Sequence, residues 1–115
     1  MKTFRITMLG ILFSGVVYSI ATSDRVIASP TQAGASLYDS KCAACHAKDG
    51  SGNTAAGKGL KVKDLRSEDV QKQSDDKLFD VIMKGKEKMP GFEKSLGHNK
   101  IHELVTYIRG LAKKS

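Results

Sequence analysis

The chain predicts an all-α domain built from short helices, and three observations carry that prediction. No segment reads as a convincing strand. Two stretches repeat apolar residues at helical spacing: Leu78, Val81 and Ile82, then Ile101, Leu104, Val105, Ile108 and Leu111. Between such stretches, clusters of turn formers divide the chain at Asp49-Gly50-Ser51-Gly52-Asn53 and at Pro90-Gly91.

The 115 residues open with basic Lys2 and Arg5, followed by an apolar run over residues 6–21 and then by small and charged residues. A basic start, an apolar middle and small residues at the end describe a signal peptide. Cleavage after Ala21, with Ser19 at −3, or after Ala28, with Val26 at −3, fits small-residue preferences. The apolar run is interrupted by Ser, Thr and Gly and falls short of the ~20 residues that span a bilayer comfortably. Removal of residues 1–28 leaves residues 29–115, enough for one domain. A domain that small usually needs a staple beyond its own core. The net charge is +7, and only Lys2, Arg5 and Arg25 against Asp24 leave with the leader. The mature domain therefore stays basic.

Residues 29–33 read as a flexible lead-in. A short helix over residues 34–41 carries Leu37 and Tyr38 on an apolar stripe and delivers Cys42. Residues 54–63 are rich in Gly and Lys with neither period, and read as irregular chain. A loop of that kind in so small a domain needs something large beneath it. Ser67 can cap a short helix with acids in its first turn, and Ser74-Asp75-Asp76 repeats that signal more strongly. The second of these helices ends near Gly85. Residues 86–96 break again, and the last helix starts around residues 97–99. Lys113 and Lys114 suit the negative end of its dipole.

Cys42-Ala43-Ala44-Cys45-His46 is the sequence that decides the chemistry. Two thiols one helical turn apart, with an imidazole directly after the second, form the attachment run of a c-type haem. The thiols would form thioethers with the porphyrin, and His46 would be the proximal iron ligand. A thioredoxin-like redox pair needs a βαβ pattern, which is missing. A Cys42–Cys45 disulfide would close a very small loop and stabilise little. Zinc is the stronger rival, because Cys42-x2-Cys45 and His98-x3-His102 have ligand-like spacing. Residues 46–97 separate the two halves, far more than the roughly 12–15 of a compact finger. Zinc also leaves His46 unexplained.

The second axial position has one leading candidate. Met89 lies in a helix-free segment, and Pro90 stiffens the backbone beside it. Ordinary packing would also account for a methionine there. The rival ligands are Met83, within a helical pattern, and His98 or His102 at the start of the last helix.

With these motifs in place, residues 34–112 resemble a class I c-type cytochrome of the small bacterial type. The likeness rests on Cys42 through His46, on Met89-Pro90, and on the closing Val105-Thr106-Tyr107-Ile108-Arg109-Gly110-Leu111. It implies an all-α class I cytochrome c fold, three to five helices around one covalent haem c and its iron. It further implies a close crossing of the first and last helices, with Gly34 or Leu37-Tyr38 against Tyr107. Gly97 departs from the pattern at the start of the last helix, where a hydroxyl or an acid is commoner. Haem is attached outside the cytoplasm in this family, so the resemblance places the mature protein in the periplasm.

His/Met ligation would raise the reduction potential relative to bis-His and leave no position for substrate. The expected function is a monomeric one-electron carrier between larger redox proteins, and not an enzyme. The alternative is a haem enzyme or gas sensor with a labile distal site, although no His/Arg pair near Met89 suggests one. Lys84, Lys86, Lys88 and Lys94 bracket Met89, and Lys58, Lys61 and Lys63 crowd the preceding loop. They are either a solvated surface or a positive rim that steers an acidic partner. Nucleic acid is not expected as a partner, since the basic residues lack interleaved aromatics. Stable membrane insertion is not expected once the leader is cleaved.

Overall fold

The structure is a computed structural model that describes residues 30–112. The leader and the terminal Lys113 and Lys114 lie outside the described residues. Six helices follow one another: α1 Pro30–Lys41, α2 Ala43–His46, α3 Ala55–Leu60, α4 Glu68–Gln71, α5 Asp75–Lys84 and α6 Glu93–Leu111. Among the described residues there is no strand, only an isolated bridge between Lys86 and Met89.

Three elements differ from the sequence reading. The lead-in is not flexible from residue 30 onward, because α1 already begins at Pro30. Proline suits a first helical position, where its fixed φ is preset and no amide hydrogen is needed. Residues 54–63 are not irregular throughout, because α3 forms within them. Thr54 caps it by accepting from the Gly57 amide at 2.8 Å, and Lys61 closes it in the left-handed region at φ 54°. A capped turn of small residues has no apolar period to betray it. The last helix is preceded by an extra turn beginning at Glu93, joined to the main run across Gly97 at φ 72°, ψ 169°. Gly97 occupies its unusual position because the chain turns there through a conformation that favours glycine.

The other elements form as their residues dictate. The Ser74 hydroxyl accepts from the Lys77 amide at 3.2 Å, with Asp75 and Asp76 in the first turn of α5. Gly85 ends that helix at φ 79°. Ser67 sits at the cap position of α4, yet its hydroxyl donates backward to the Asp64 carbonyl at 2.7 Å.

The first and last helices cross at close contact. A Cβ on Gly34 would lie 2.7 Å from the Glu103 carbonyl oxygen and 3.1 Å from the Tyr107 Cβ. Nearby, the Tyr38 and Tyr107 rings stand 5.0 Å apart at 45°. Both the small residue and the aromatic pair expected at this crossing are therefore there. Leu78 and Ile82 of α5 join Tyr38, Val70 and the α6 residues Ile101, Leu104, Val105, Ile108 and Leu111 in one core. Burying an aliphatic side chain as completely as Ile101 or Leu104 contributes about 1.5–3 kcal/mol.

Hydrogen bonds tie the middle segment to α6. Arg109 donates to the Gln71 carbonyl at 2.6 Å, to the Gln73 carbonyl and to Asp75 Oδ1 at 2.8 Å. Gln71 Nε2 in turn reaches the carbonyls of Leu65 at 2.7 Å and Ile108 at 3.2 Å.

Candidate haem-binding site

The run Cys42 through His46 sits where α1 hands over to α2. The Cys42 amide closes α1 on the Tyr38 carbonyl at 2.8 Å, and Cys42 stands at the N-cap of α2. The amides of Cys45 and His46 both turn back to the Cys42 carbonyl, at 3.2 and 2.9 Å. Ala47 then leaves the helix at φ 62°. Its carbonyl accepts from the buried Tyr38 hydroxyl at 2.8 Å, locking the end of the motif onto α1.

The following loop holds the motif from the other side. Gly52 donates to the His46 carbonyl at 2.8 Å, and Thr54 Oγ1 donates to the Cys45 carbonyl at 3.1 Å. Gly57 lies so close that an added Cβ would fall 2.2 Å from the Cys45 oxygen and 2.3 Å from the Gly52 oxygen. Sequence reading missed Tyr38, Thr54 and Gly57 as positioning residues. The hydroxyl of Thr54 before the small residues of α3 was the one local signal available.

Neither cysteine is in a disulfide, and both are half-buried. Burial, then the neighbouring Cys45, pushes the Cys42 thiol up to about 11. A catalytic or redox thiol requires the opposite shift, so Cys42 is not built as a reactive thiolate. Burial also holds the His46 imidazole below its ordinary value. The Lys63 main chain opposes that shift but makes no hydrogen bond to Nδ1. His46 Nδ1 is the buried side-chain nitrogen left without a partner among the described residues. A neutral imidazole is the form that ligates a metal.

Met89 occupies a fastened turn after α5. Lys86 and Met89 exchange amide-to-carbonyl bonds of 3.1 and 2.9 Å, and Phe92 donates to the Ile82 carbonyl at 3.0 Å. Beneath the turn, a Cβ on Gly85 would lie 2.5 Å from the Met89 oxygen, and one on Gly91 would lie 2.6 Å from the Met83 oxygen. Met89 and Cys42 both border the core without being fully covered, as do Leu37, Leu65, Phe79, Met83, Phe92 and Leu96. This apolar fringe suits a flat apolar cofactor, and no polar or charged residue is buried among the described residues.

Met83 packs from within α5, while exposed His98 and His102 lie against Phe79. Among the described residues no group of three or more His, Cys, Asp or Glu could hold a metal. The Cys42, Cys45, His98 and His102 zinc set therefore does not assemble.

An all-helical body with two unpaired thiols and a half-buried imidazole whose Nδ1 is covered without a close partner fits the polypeptide part of a covalent haem protein. Known proteins agree. Residues 29–108 match the family model described as cytochrome c oxidase, cbb3-type, subunit III. Cytochrome c6 of Nostoc sp. (strain PCC 7120 / SAG 25.82 / UTEX 2576) is 31% identical over 111 residues, covering 96% of this chain and 94% of that protein. The solved KustC0563 c-type cytochrome shows 32% identity and a TM-score of 0.62, covering 68% of this chain and 95% of that one. The c-type cytochrome XoxG from Methylobacterium extorquens AM1 shows 25% identity and a TM-score of 0.57, over 72% of this chain and 50% of that one. The chain belongs to the c-type cytochromes, in their small class I form. Its cofactor is covalent haem c with iron, and it carries electrons to and from redox partner proteins without being an enzyme.

Proposed function

We propose that Cys42 and Cys45 would form the haem thioethers, and that His46 and Met89 would be the two protein ligands of its iron. The observation that carries this reading is the buried Nδ1 of His46, left unpartnered at the end of a motif whose main chain is held by Tyr38, Gly52 and Thr54. The fastened turn at Met89 supports the second ligand. When bound, the haem supplies a one-electron ferric/ferrous couple, and thioether ligation raises its potential relative to bis-His. The chain's part is to hold both ligands and exclude exchange: the paired turn at Lys86 and Met89 resists loss of the thioether, and Gly85 and Gly91 seat it closely.

The protein acts in the periplasm as a monomer, residues 1–28 being the signal peptide and residues 29–115 the mature domain. Among the described residues, no helix is long and apolar enough to cross a membrane. The partner carries an acidic docking surface. Leu60 on α3 is 41% exposed, the large hydrophobic so placed among the described residues. Exposed Lys58, Lys61 and Lys63 surround it in sequence. An apolar centre with a positive rim is suited to steered, transient association.

Replacing Met89 by His tests the ligand set. The variant should remain low-spin with a lower midpoint potential. An unchanged potential would remove Met89 from the iron, and rapid cyanide binding to the resting wild type would deny a firmly filled distal site.

A further inference from the structure

His98 and His102 are a chemically capable pair that the haem site leaves unused. Both are exposed, and they stand four residues apart on α6. Side chains at that spacing share one helix face, with Cβ atoms about 5–6 Å apart. The structure adds a common support, because both imidazoles contact the ring of Phe79 on α5. The His98 ring meets it edge-on, with centroids 5.5 Å apart at 86°, and the His102 ring lies over it at 4.5 Å and 32°. One phenyl ring therefore draws both imidazoles to the same side of the helix. Among the described residues, no hydrogen bond or ion pair engages either ring.

The geometry points to a surface metal site, in which His98 and His102 together chelate one first-row divalent cation, copper(II) in preference to nickel(II) or zinc(II). Two histidines four apart on one helix face present their nitrogens to a single metal, as in helical zinc sites. Imidazole suits zinc, copper and nickel, and affinity for a given nitrogen site peaks at copper(II). Hard cations do not fit. They require oxygen ligands, and the positive helix end at Gly97 opposes any cation held only by charge. Lys94 and Lys100 flank His98 in sequence and add to that opposition. Among the described residues no third His, Cys, Asp or Glu joins the pair. Water completes the coordination sphere, so the affinity is that of a two-imidazole chelate and not of a structural metal centre. Phe79 is a positioning residue, holding the rings without touching the metal.

The test uses haem-loaded protein in its oxidised state, titrated with copper(II) chloride and followed by calorimetry and copper EPR. The expected result is one copper per chain at micromolar affinity, with a nitrogen-coupled signal. His98→Ala and His102→Ala should each weaken binding by about tenfold or more, since the second nitrogen is lost as an intramolecular ligand. Phe79→Leu should weaken it less while leaving the stoichiometry at one. The haem spectrum should be unchanged in every variant, which separates this site from iron ligation. His98→Gln and His102→Gln give the same reading if an alanine variant fails to load haem. Copper binding that survives in the double variant, or single variants within twofold of wild type, would overturn the site.

Discussion

Thr54 stands with its hydroxyl between two main-chain groups, donating to the Cys45 carbonyl at 3.1 Å and accepting from the Gly57 amide at 2.8 Å. One side chain thus caps α3 and fastens that helix to Cys45. Replacing Thr54 by Val keeps the shape and removes both bonds. Loss of a cap and of one buried partner predicts destabilisation of about 1–2 kcal/mol in denaturant unfolding of the haem-loaded protein. Thr54→Ser, which keeps the hydroxyl, should stay near wild type. A loss in Thr54→Ser with Thr54→Val near wild type would assign the effect to the methyl group instead.

The glycines of α3 give a sharper contrast. A Cβ at Gly57 would fall 2.2 Å from the Cys45 oxygen, whereas a Cβ at Gly59, on the same short helix, meets nothing within 4 Å. Neither has a positive φ, so space alone separates them. Gly57→Ala must displace main chain and should cost at least the ~1–3 kcal/mol typical of overpacking, with poorer haem incorporation. Gly59→Ala should stabilise by roughly 0.5–1 kcal/mol, because alanine loses less backbone entropy in a helix. Thermal melts of the two variants should move in opposite directions.

The long-range architecture was legible in residues with strong periodicity. Leu78 and Ile82 on α5, and Ile101, Leu104, Val105, Ile108 and Leu111 on α6, are buried as their spacing required, whereas Val81 of the same apolar face is only half-buried. Gly34 and Tyr107 meet at the helix crossing as the family resemblance implied. The proposed attachment run, Cys42 through His46, stands out because its residues are consecutive. What stayed hidden depends on partners distant in sequence. Nothing local to Tyr38 announces a hydroxyl bonded to Ala47, and nothing in the small residues of α3 shows that Gly57 is pressed against Cys45. The early start of α1 was hidden for a different reason: Pro30 reads as a breaker unless its place at a first helical turn is known.

Tyr38 allows the hidden contact to be tested. Its ring is fully buried between α1 and α6, and its hydroxyl has the Ala47 carbonyl as acceptor. Tyr38→Phe keeps the ring and its packing on Tyr107 but deprives that carbonyl of its donor. The expected cost is about 0.5–1.5 kcal/mol, the net value of one such bond. The Ala47 turn directly follows His46, so amide exchange at residues 47–50 should also accelerate. Unchanged exchange there would show that the hydroxyl does not hold the end of the motif.

Acid stability should depend on Arg66. Its guanidinium reaches Asp64 at 2.9 Å and Asp49 at 3.8 Å. The hydrogen bond from Arg66 holds the Asp64 carboxyl below its usual range, while bonds from Ser51, aided by the Arg66 charge, do the same for Asp49. A carboxyl whose folded-state pKa is depressed binds fewer protons folded than unfolded. Its contribution is therefore complete above the unfolded value of about 3.9, and is lost as pH falls through the lower folded value. Asp49 is exposed and Asp64 partly so, so the contribution is small and salt weakens it. Asp64→Asn should leave stability at pH 7 little changed from Arg66→Gln and flatten the decline between pH 4 and the acid limit. An undiminished acid decline in both variants would place the titrating groups elsewhere.

Arg109 makes the most demanding prediction, because its single guanidinium closes the junction of α4 and α5 against α6. It donates to the carbonyls of Gln71 and Gln73, and pairs with Asp75 at 2.8 Å. Lysine keeps the charge but not the planar fork, so it can satisfy only part of this set. Arg109→Lys should therefore destabilise the protein, and Arg109→Ala more so, by about 2–3 kcal/mol through carbonyls left without a charged donor. Asp75→Asn should cost much less, since the exposed carboxylate adds little to bonds made to the main chain. If Asp75→Asn and Arg109→Ala cost the same, the ion pair would be the source of the stabilisation and the carbonyl clamp would not.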